Sequence, residues 1–406
     1  MLRSDLKLVV IFVIIAFTII IRVLVERTGY CSYDSLYYLQ AAQNLLDGKS
    51  FYLPESIPLY KTSILENQLS PAYWPVGYPL FIAGFAFLFS MPVFWASKAV
   101  NIFFLGLCFL LFRKMSKENA YLLSLMMCSF TFLEIFSYTW SEGPFLFGLL
   151  WFAYALYHYL DDHYKTTFLL QIFCSSLFLF LIRYVGGFSF IIIGGFSGIL
   201  LLKKSYAPAL KLLYIFLVLS VLAGLYLFNN YLQTGFLFGG EHLNLNRDNL
   251  GLFIRVLFSG LFNELFFIRN YYWQGEPIAL FLASALFQFF IMAFIYYRYI
   301  KGKKLTFTTN DRLSSLLVWI GFIYLLVIMI IRYSSPVYPI DYRLLSPFTL
   351  CVYTAIILYL IQKERTAILR GAYKYILILF SVSLLLNLPK TYFLTYFQNI
   401  VRQILY

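Results

Sequence analysis

The sequence predicts an all-α protein that crosses a membrane many times, from its composition, its recurring apolar runs and the placement of its basic residues. Of the 406 residues, 62% are hydrophobic and only 12% are charged, far from the averages of soluble proteins. Apolar runs near the length of about 20 residues that a membrane span needs recur from residue 7 to residue 388. No stretch remains for a conventional soluble domain, so we predict one integral membrane domain over residues 1–406, without a large soluble C-terminal domain.

The first apolar run, residues 8–25, is predicted to be a retained transmembrane helix, because no small-residue cleavage site follows it and many more spans do. The same length criterion, applied to the rest of the chain, predicts about eleven spans in total. The further spans are placed near residues 93–112, 120–138, 143–160, 167–182, 186–202, 207–228, 277–298, 313–332, 344–361 and 373–388. Two other apolar runs, 78–90 and 250–272, are left open between a span and a helix that lies along the interface.

Lysine and arginine residues are distributed unevenly between the two sides of these spans. With the N-terminus placed in the cytoplasm, the cytoplasmic connections hold 18 of the 31 basic residues but only six of the 18 acidic residues. The predicted cytoplasmic side therefore carries a net charge of +12 and the other side +1. Because cytoplasmic loops carry an excess of basic residues, this bias predicts a cytoplasmic N-terminus and an extracytoplasmic C-terminus.

The formal net charge of +13 does not indicate nucleic-acid binding, because the basic residues stand in short clusters between apolar runs, where they act as topology signals. The five cysteines and three histidines are scattered, so neither a disulfide framework nor a zinc site is predicted. The two longest connections, residues 26–77 and 229–276, both fall on the predicted extracytoplasmic side. We therefore expect the chemistry of the protein to face outward.

Asp34 is the only acidic residue in the segment 29–42, just after the first predicted helix. Two interpretations of this residue stay open. As a helix N-cap, its side chain would satisfy free backbone N–H groups. As a general base at the membrane surface, its carboxylate would take a proton from a hydroxyl group. Four other acidic residues near the outer side are interpreted as structural or solvated: Glu134, Glu241, Glu264 and Glu276.

A proline-rich segment, Pro75-Val76-Gly77-Tyr78-Pro79, leads straight into an apolar run and predicts a rigid turn at the membrane surface. Together with the Asp34 region it resembles the GT-C superfamily of membrane glycosyltransferases, which includes protein O-mannosyltransferases and aminoarabinose transferases. In that family an acidic residue opens the first extracytoplasmic loop, followed by a tyrosine, an alanine-rich helix ending near glycine and a Pro-Pro-Gly-Tyr-Pro-like entry to the membrane. The matching positions here are Asp34, Tyr37 or Tyr38, Ala41-Ala42, Gly48 and the proline-rich segment.

Three further segments fit the same family. The segment 140–145, Trp-Ser-Glu-Gly-Pro-Phe, is similar to the Ser-Glu-Pro pattern of many bacterial members, and the segments 181–187 and 341–347 follow in the same order. Val76 replaces a usual proline, and Ser35 stands where several subfamilies have a second acid. The resemblance covers the chain from residue 1 to about residue 350. It implies a GT-C fold and a location in a bacterial inner or plasma membrane.

The resemblance implies an enzyme, an inverting glycosyltransferase that moves a sugar from a polyprenyl-phosphate donor to an acceptor hydroxyl on the extracytoplasmic face. Asp34 would act as the catalytic base, while Arg183 and Arg343 would bind the donor phosphate. Glu142 is predicted to orient acceptor hydroxyls, to help bind a divalent cation or to pair with Arg183, and no other cofactor is predicted. The remaining substrate-binding residues are Tyr37 and Tyr78. The partners implied are a lipid-linked sugar donor, a hydroxyl-bearing glycan, lipid or protein acceptor, and membrane lipids, without nucleic acid.

Two other functions stay open. A transporter or flippase of lipid-linked sugars would usually place ionisable residues near the bilayer midplane, whereas most charges here fall in loops or near predicted helix ends. A glycan polymerase or ligase that uses diphosphate-linked oligosaccharides would share the topology and the arginines. The pairing of Asp34 with the proline-rich segment is the only feature that disfavours a polymerase or ligase.

Overall fold

The computed structural model describes residues 2–49, 74–161, 164–238, 249–269, 278–302, 311–334, 340–361 and 366–388, and every regular element in these ranges is helical. Parts of the two long predicted loops, residues 50–73, 239–248 and 270–277, lie outside the described ranges. The helices are α1 (Leu2–Val25), α2 (Tyr33–Leu46), α3 (Gly77–Phe89), α4 (Val93–Met115), α5 (Ala120–Leu125), α6 (Phe130–Ser137), α7 (Glu142–Asp161), α8 (Thr166–Ile182), α9 (Phe188–Leu202), α10 (Tyr206–Thr234), α11 (Leu250–Asn263), α12 (Ile278–Ile295), α13 (Arg312–Ser334), α14 (Tyr342–Ile361) and α15 (Thr366–Leu386).

Seven helices of the described chain are long and apolar enough to cross a membrane, namely α1, α4, α9, α10, α12, α13 and α14. They coincide with seven of the predicted spans, which confirms the prediction of an all-α, multi-pass membrane protein. An eighth span results if the bent pair formed by α5 and α6 counts as one crossing. The other predicted spans coincide with α7, α8 and α15, which do not meet the same criterion, so the total of about eleven stays a prediction.

The span predicted over residues 120–138 is not one straight helix. α5 and α6 meet at a bend of 75°, and Ser129, which precedes α6, has an extended backbone (φ −71°, ψ 157°). The backbone N–H of Phe130 donates a hydrogen bond to the carbonyl oxygen of Phe267 at 2.8 Å. A break at membrane depth needs such a partner from elsewhere in the protein, because lipid supplies none. The prediction of a continuous helix over this run is therefore wrong.

The two apolar runs that were left open form short helices, α3 with 13 residues and α11 with 14. α3 begins beside the end of α8, where a Cβ atom on Gly77 would lie only 2.6 Å from the carbonyl oxygen of Leu181. α4 begins four residues after α3 ends, and its Phe94 packs against Gly29, just beyond α1. α3 therefore begins beside the end of α8, and a short connection joins its end to the start of α4, beside the segment that follows α1.

α7 lies at the centre of the bundle, where it contacts α4, α6, α8, α13 and α14. Its side chains Phe145, Leu149, Phe152 and Leu156 are fully buried. α7 therefore packs against other helices rather than lipid, which is compatible with its less apolar composition. Because lipid is about as apolar as leucine, close packing and interhelical hydrogen bonds, rather than the hydrophobic effect, hold such a helix in place.

Ion pairs mark the two opposite ends of the bundle. At one end Asp5 of α1 pairs with Arg113 of α4, and Asp161 of α7 pairs with Arg312 of α13 at 2.8 Å. At the other end a larger group of charges joins α2, α7, α8 and α14. We call the end with the Asp5 and Asp161 ion pairs the opposite end, and the end with the larger group of charges the cluster end. By the charge distribution of the sequence, the cluster end is the predicted extracytoplasmic end.

Candidate functional site

Four charged residues meet at the cluster end, and we call them the four-charge cluster. Asp34 lies in the first turn of α2, Glu142 opens α7, Arg183 directly follows α8 and Arg343 lies in the first turn of α14. Arg343 Nη1 lies 2.5 Å from Asp34 Oδ2, and Arg343 Nε donates to Glu142 Oε1. Arg183 Nη1 pairs with the same Glu142 oxygen. Two carboxylates and two guanidinium groups therefore form one continuous network with no formal net charge.

The members of the four-charge cluster differ in how accessible they are. Only 1% of the Glu142 side chain and 7% of the Asp34 side chain are exposed, against 16% for Arg343 and 18% for Arg183. A carboxylate that contacts two guanidinium groups stays ionised at neutral pH. The buried Glu142 therefore holds the two arginines in place, and the arginines form the more accessible part of the site. Its second oxygen, Oε2, is buried and has no hydrogen-bond partner among the described residues.

The structure corrects one interpretation of Asp34. Ser32, and not Asp34, is the residue that precedes α2, and its backbone N–H donates to Ser35 Oγ at 2.9 Å. Asp34 lies within the helix and its carboxylate contacts Arg343. The N-cap interpretation of Asp34 is therefore wrong, since serines occupy that role. The interpretation of Asp34 as a general base stays a prediction.

Three tyrosines of the quoted motifs have different surroundings. Tyr37 stacks on Trp74, with ring centroids 4.9 Å apart, and its hydroxyl donates to Tyr33 at 3.2 Å. Tyr78 is fully buried and donates to Asn101 Oδ1 at 3.1 Å, so the described contacts do not bring its hydroxyl to the four-charge cluster. Tyr38 is the tyrosine beside the cluster: burial and the nearby carboxylates of Glu142 and Asp34 raise its pKa.

Trp140 joins the two sides of the site, although its motif gave it no role in the sequence. The Arg343 guanidinium lies over its ring, 4.6 Å from the centroid, an attractive cation–π arrangement. The indole N–H donates to Ser32 Oγ, at the start of the helix that carries Asp34, at 2.7 Å. On its other side Trp140 stacks on Tyr138, with centroids 4.0 Å apart and planes at 6°. Trp140 therefore orients Arg343 relative to α2.

The connection between α6 and α7, residues 137–141, delivers Trp140 and Glu142 to the site, and polar residues of α4 hold it. Lys98 Nζ donates to the carbonyl of Ser137 at 2.9 Å, and Asn101 Nδ2 donates to the carbonyl of Tyr138 at 2.5 Å. The Thr139 N–H donates to the carbonyl of Tyr30 at 3.1 Å. The polar residues of α4 were overlooked in the sequence, where the only signal was their presence inside an apolar run.

Asp341 caps the start of α14 and so helps to position Arg343 in the first turn of that helix. Asp341 Oδ1 accepts hydrogen bonds from the backbone N–H groups of Arg343 at 3.0 Å and Leu344 at 3.4 Å, the usual work of an aspartate at a helix start. Burial raises the pKa of Asp341 from its ordinary value, and the nearby Arg343 opposes that shift. The motif around residue 341 therefore has a structural explanation for its aspartate as well as a candidate role for its arginine.

Two glutamates that were interpreted as structural or solvated are buried. Glu134 pairs with Arg22 of α1, whose guanidinium also donates to the Tyr30 hydroxyl at 2.8 Å. Glu264, just after α11, accepts hydrogen bonds from Thr349 at 2.5 Å and from Thr131 at 3.4 Å. Neither is solvated, so only the structural half of that interpretation applies. Glu241 and Glu276 lie outside the described residues.

In the described part of the chain, no group of three or more histidine, cysteine, aspartate and glutamate residues is arranged to hold a metal ion. The two carboxylates of the four-charge cluster are the acids of the site, and both contact arginine. No family model matches the chain, and no curated protein matches it either. Membership of the GT-C superfamily therefore stays a prediction that rests on the quoted motifs.

Proposed function

We propose that the protein is an inverting GT-C glycosyltransferase that moves a sugar from a polyprenyl-phosphate donor to an acceptor hydroxyl. The observation that carries the proposal is the four-charge cluster. It gathers the acid of one quoted motif, the acid of a second and the arginines of two others, which lie up to about 300 residues apart in the chain. The partly exposed Arg183 and Arg343 offer the planar donor edges that bind phosphate in a bidentate manner.

The reaction follows from the roles of these groups. The acceptor oxygen attacks the anomeric carbon from the face opposite the phosphate, while Asp34 takes the hydroxyl proton. The bond between the anomeric carbon and the phosphate oxygen breaks, and its electron pair leaves with the polyprenyl phosphate. The transition state has oxocarbenium character, as in glycosidases. Arg183 and Arg343 stabilise the charge that develops on the leaving phosphate, so no acid catalyst is needed.

The ion pair between Asp34 and Arg343 fits this scheme as a resting state. While Arg343 contacts Asp34, the carboxylate is oriented, but it is engaged with a cation. A donor phosphate competes for the same guanidinium and releases the carboxylate to accept a proton. Glu142, which is almost fully buried, keeps both arginines in place during the exchange.

The predicted topology supports a lipid-linked donor. The cluster end is the predicted extracytoplasmic end, and nucleotide sugars are made in the cytosol and do not cross a bilayer unaided. An enzyme whose site faces outward therefore needs a sugar that was carried across on a lipid. A helical membrane protein with its charges at the helix ends is suited to such a donor. About eleven spans and a bacterial inner or plasma membrane belong to the same proposal.

The test is to reconstitute the purified protein in vesicles with a polyprenyl-phosphate sugar and to measure two quantities in parallel. The first is formation of a glycosylated acceptor, and the second is movement of the donor between leaflets. The proposal expects transfer with inversion at the anomeric carbon. Donor movement without transfer would favour a flippase, and transfer only from diphosphate-linked oligosaccharides would favour a polymerase or ligase. Either result would contradict the proposal.

A further inference from the structure

Lys98 is a buried cation in the first half of α4. It is 3% exposed, and its ammonium group donates to two backbone carbonyls, Tyr30 O at 3.0 Å and Ser137 O at 2.9 Å. Among the described residues, no carboxylate lies within ion-pair distance of Lys98 Nζ. A buried ammonium group without a carboxylate is unfavourable in a membrane protein, so its two carbonyl partners are the feature that explains its presence.

The two carbonyls belong to the two chain segments that deliver the acids of the four-charge cluster. Tyr30 lies four residues before Asp34, and Ser137 lies five residues before Glu142. The segments also contact each other directly, through the Thr139 N–H to the Tyr30 carbonyl at 3.1 Å. One ammonium group therefore ties both segments to the same point of α4.

The backbone conformation of Tyr30 indicates that the hydrogen bonds from Lys98 hold this segment in an unfavourable shape. Tyr30 has φ +55°, a left-handed conformation that is unfavourable for a residue with a side chain. In this conformation its carbonyl accepts hydrogen bonds from both Lys98 and Thr139. The hydrogen bonds of the ammonium group offset the unfavourable backbone. Without them, the segment is expected to relax and to carry the start of α2 with it.

We infer that Lys98 is a positioning residue that fixes the separation between Asp34 and Glu142 by holding the carbonyls of Tyr30 and Ser137. Lys98 does not touch the substrate. Its consequence for catalysis rests on the proposed function, because the spacing of a base and a substrate-binding acid matters only if those groups act together. The placement of the two segments by Lys98 does not depend on that function.

The first part of the test needs no enzyme activity. Cys31 is half-buried and follows Tyr30, while the other half-buried cysteine is Cys174, which is replaced by serine in all variants. We expect Lys98→Met, which removes the ammonium group and keeps an unbranched side chain, to increase the rate constant for modification of the Cys31 thiolate by a maleimide about tenfold, the effect of losing roughly one charged hydrogen bond on local opening. The rates are measured across a range of pH and expressed per thiolate, because burial raises the pKa of Cys31 and the nearby Lys98 opposes that shift. Lys114→Met is the matched control, since Lys114 is exposed on the same helix, and its rate should equal that of the parent.

The second part measures transfer in the same variants. Lys98→Met should lower kcat much more than it changes the donor KM, because the arginines that would bind the phosphate keep their contacts with Glu142. Lys98→Gln, whose amide can still donate to one carbonyl, should give intermediate values for both the labelling rate and kcat. If Lys98→Met does not fold, Lys98→Gln alone decides the question.

Labelling rates that match the parent in every folded Lys98 variant would overturn the inference. Faster labelling with unchanged kcat would also overturn it, because the separation of the two acids would then not depend on Lys98. A parent protein that transfers no sugar would contradict the proposed function, while the labelling rates would still report whether Lys98 holds the two segments.

Discussion

The two ends of the helix bundle use charge in different ways. At the opposite end, the pair formed by Asp161 and Arg312 is exposed, with 35% and 64% of the side chains accessible. At the cluster end, Glu142 is almost fully buried between two arginines. An exposed pair contributes little to stability and costs little, whereas a buried pair loses hydration that its attraction only partly offsets. The exposed pair at the opposite end therefore needs no explanation beyond its place at the surface, whereas the two buried carboxylates of the cluster end, Asp34 and Glu142, call for a functional explanation.

The largest effect on stability is expected from Glu142→Gln, which leaves two guanidinium groups without their shared carboxylate. Breaking a buried pair costs about 3–5 kcal/mol of the free energy of unfolding. The matched change at the opposite end, Asp161→Asn, should cost only about 0–1 kcal/mol, because that pair is exposed. Denaturant unfolding of both variants in the same detergent measures the difference. Equal losses would mean that the two ends do not differ in the way described.

A second effect should appear in the pH dependence of stability. Burial is the main cause that raises the pKa of Glu264 to about 7, and the nearby Asp341 adds to it, while hydrogen bonds from Thr349 and Thr131 oppose it. Between pH about 4.5, its ordinary value, and pH about 7, the folded protein keeps a proton that the unfolded chain releases. The stability contribution is therefore fully present below the lower value and is lost, on the order of 3 kcal/mol, as the pH rises through about 7.

Glu264→Gln should flatten this part of the profile, because the amide does not titrate and its oxygen can still accept from the threonine hydroxyls. Glu118→Gln, at an exposed position on the opposite end, is the control and should leave the profile unchanged. Melting temperatures between pH 4 and pH 8 provide the comparison. A Glu264→Gln variant with the same pH profile as the parent would show that Glu264 is ionised throughout this range.

A smaller effect, on the donor KM, is expected for Arg343→Lys, which keeps the positive charge but loses the planar edge of the guanidinium group. Arg343 contacts Asp34, Glu142 and the face of Trp140, and lysine cannot make all three contacts. The donor KM should rise by about tenfold, roughly the effect of one charged hydrogen bond. Arg312→Lys, in the exposed pair, should leave it unchanged. Steady-state transfer kinetics decide between these outcomes, and equal donor KM values in both variants would remove Arg343 from the phosphate site.

Much of the fold could be predicted because the signal for a membrane span is local. A run of about 20 apolar residues must cross the membrane or be buried, and seven of the predicted spans have helices of sufficient length and apolarity. The bend at Ser129 could not be predicted, because it depends on the Phe267 carbonyl, which is more than 100 residues away. The quoted motifs predicted which acids and arginines matter, and the structure brings Asp34, Glu142, Arg183 and Arg343 together.

The supporting residues of the site could not be predicted in the same way. Trp140 and Tyr38 belong to the quoted motifs, but aromatic residues are so common in this chain that their types gave no signal. Lys98 stands in an apolar run, and only the folded protein shows that its ammonium group reaches two carbonyls. Tyr78 was predicted from its motif to bind substrate, and the structure shows its buried hydroxyl donating to Asn101, so that role stays a prediction.

The central claim is that Asp34 is a catalytic base, and the most direct measurement is the rate of sugar transfer by Asp34→Asn. Asparagine keeps the size and hydrogen-bonding shape of aspartate but does not take a proton at neutral pH. Transfer should fall by roughly 10²-fold to 10⁴-fold, the range for loss of a general base. Asp161→Asn, at the opposite end, should transfer at the parent rate. Transfer by folded Asp34→Asn within a few-fold of the parent would contradict the claim and leave Asp34 as a structural partner of Arg343.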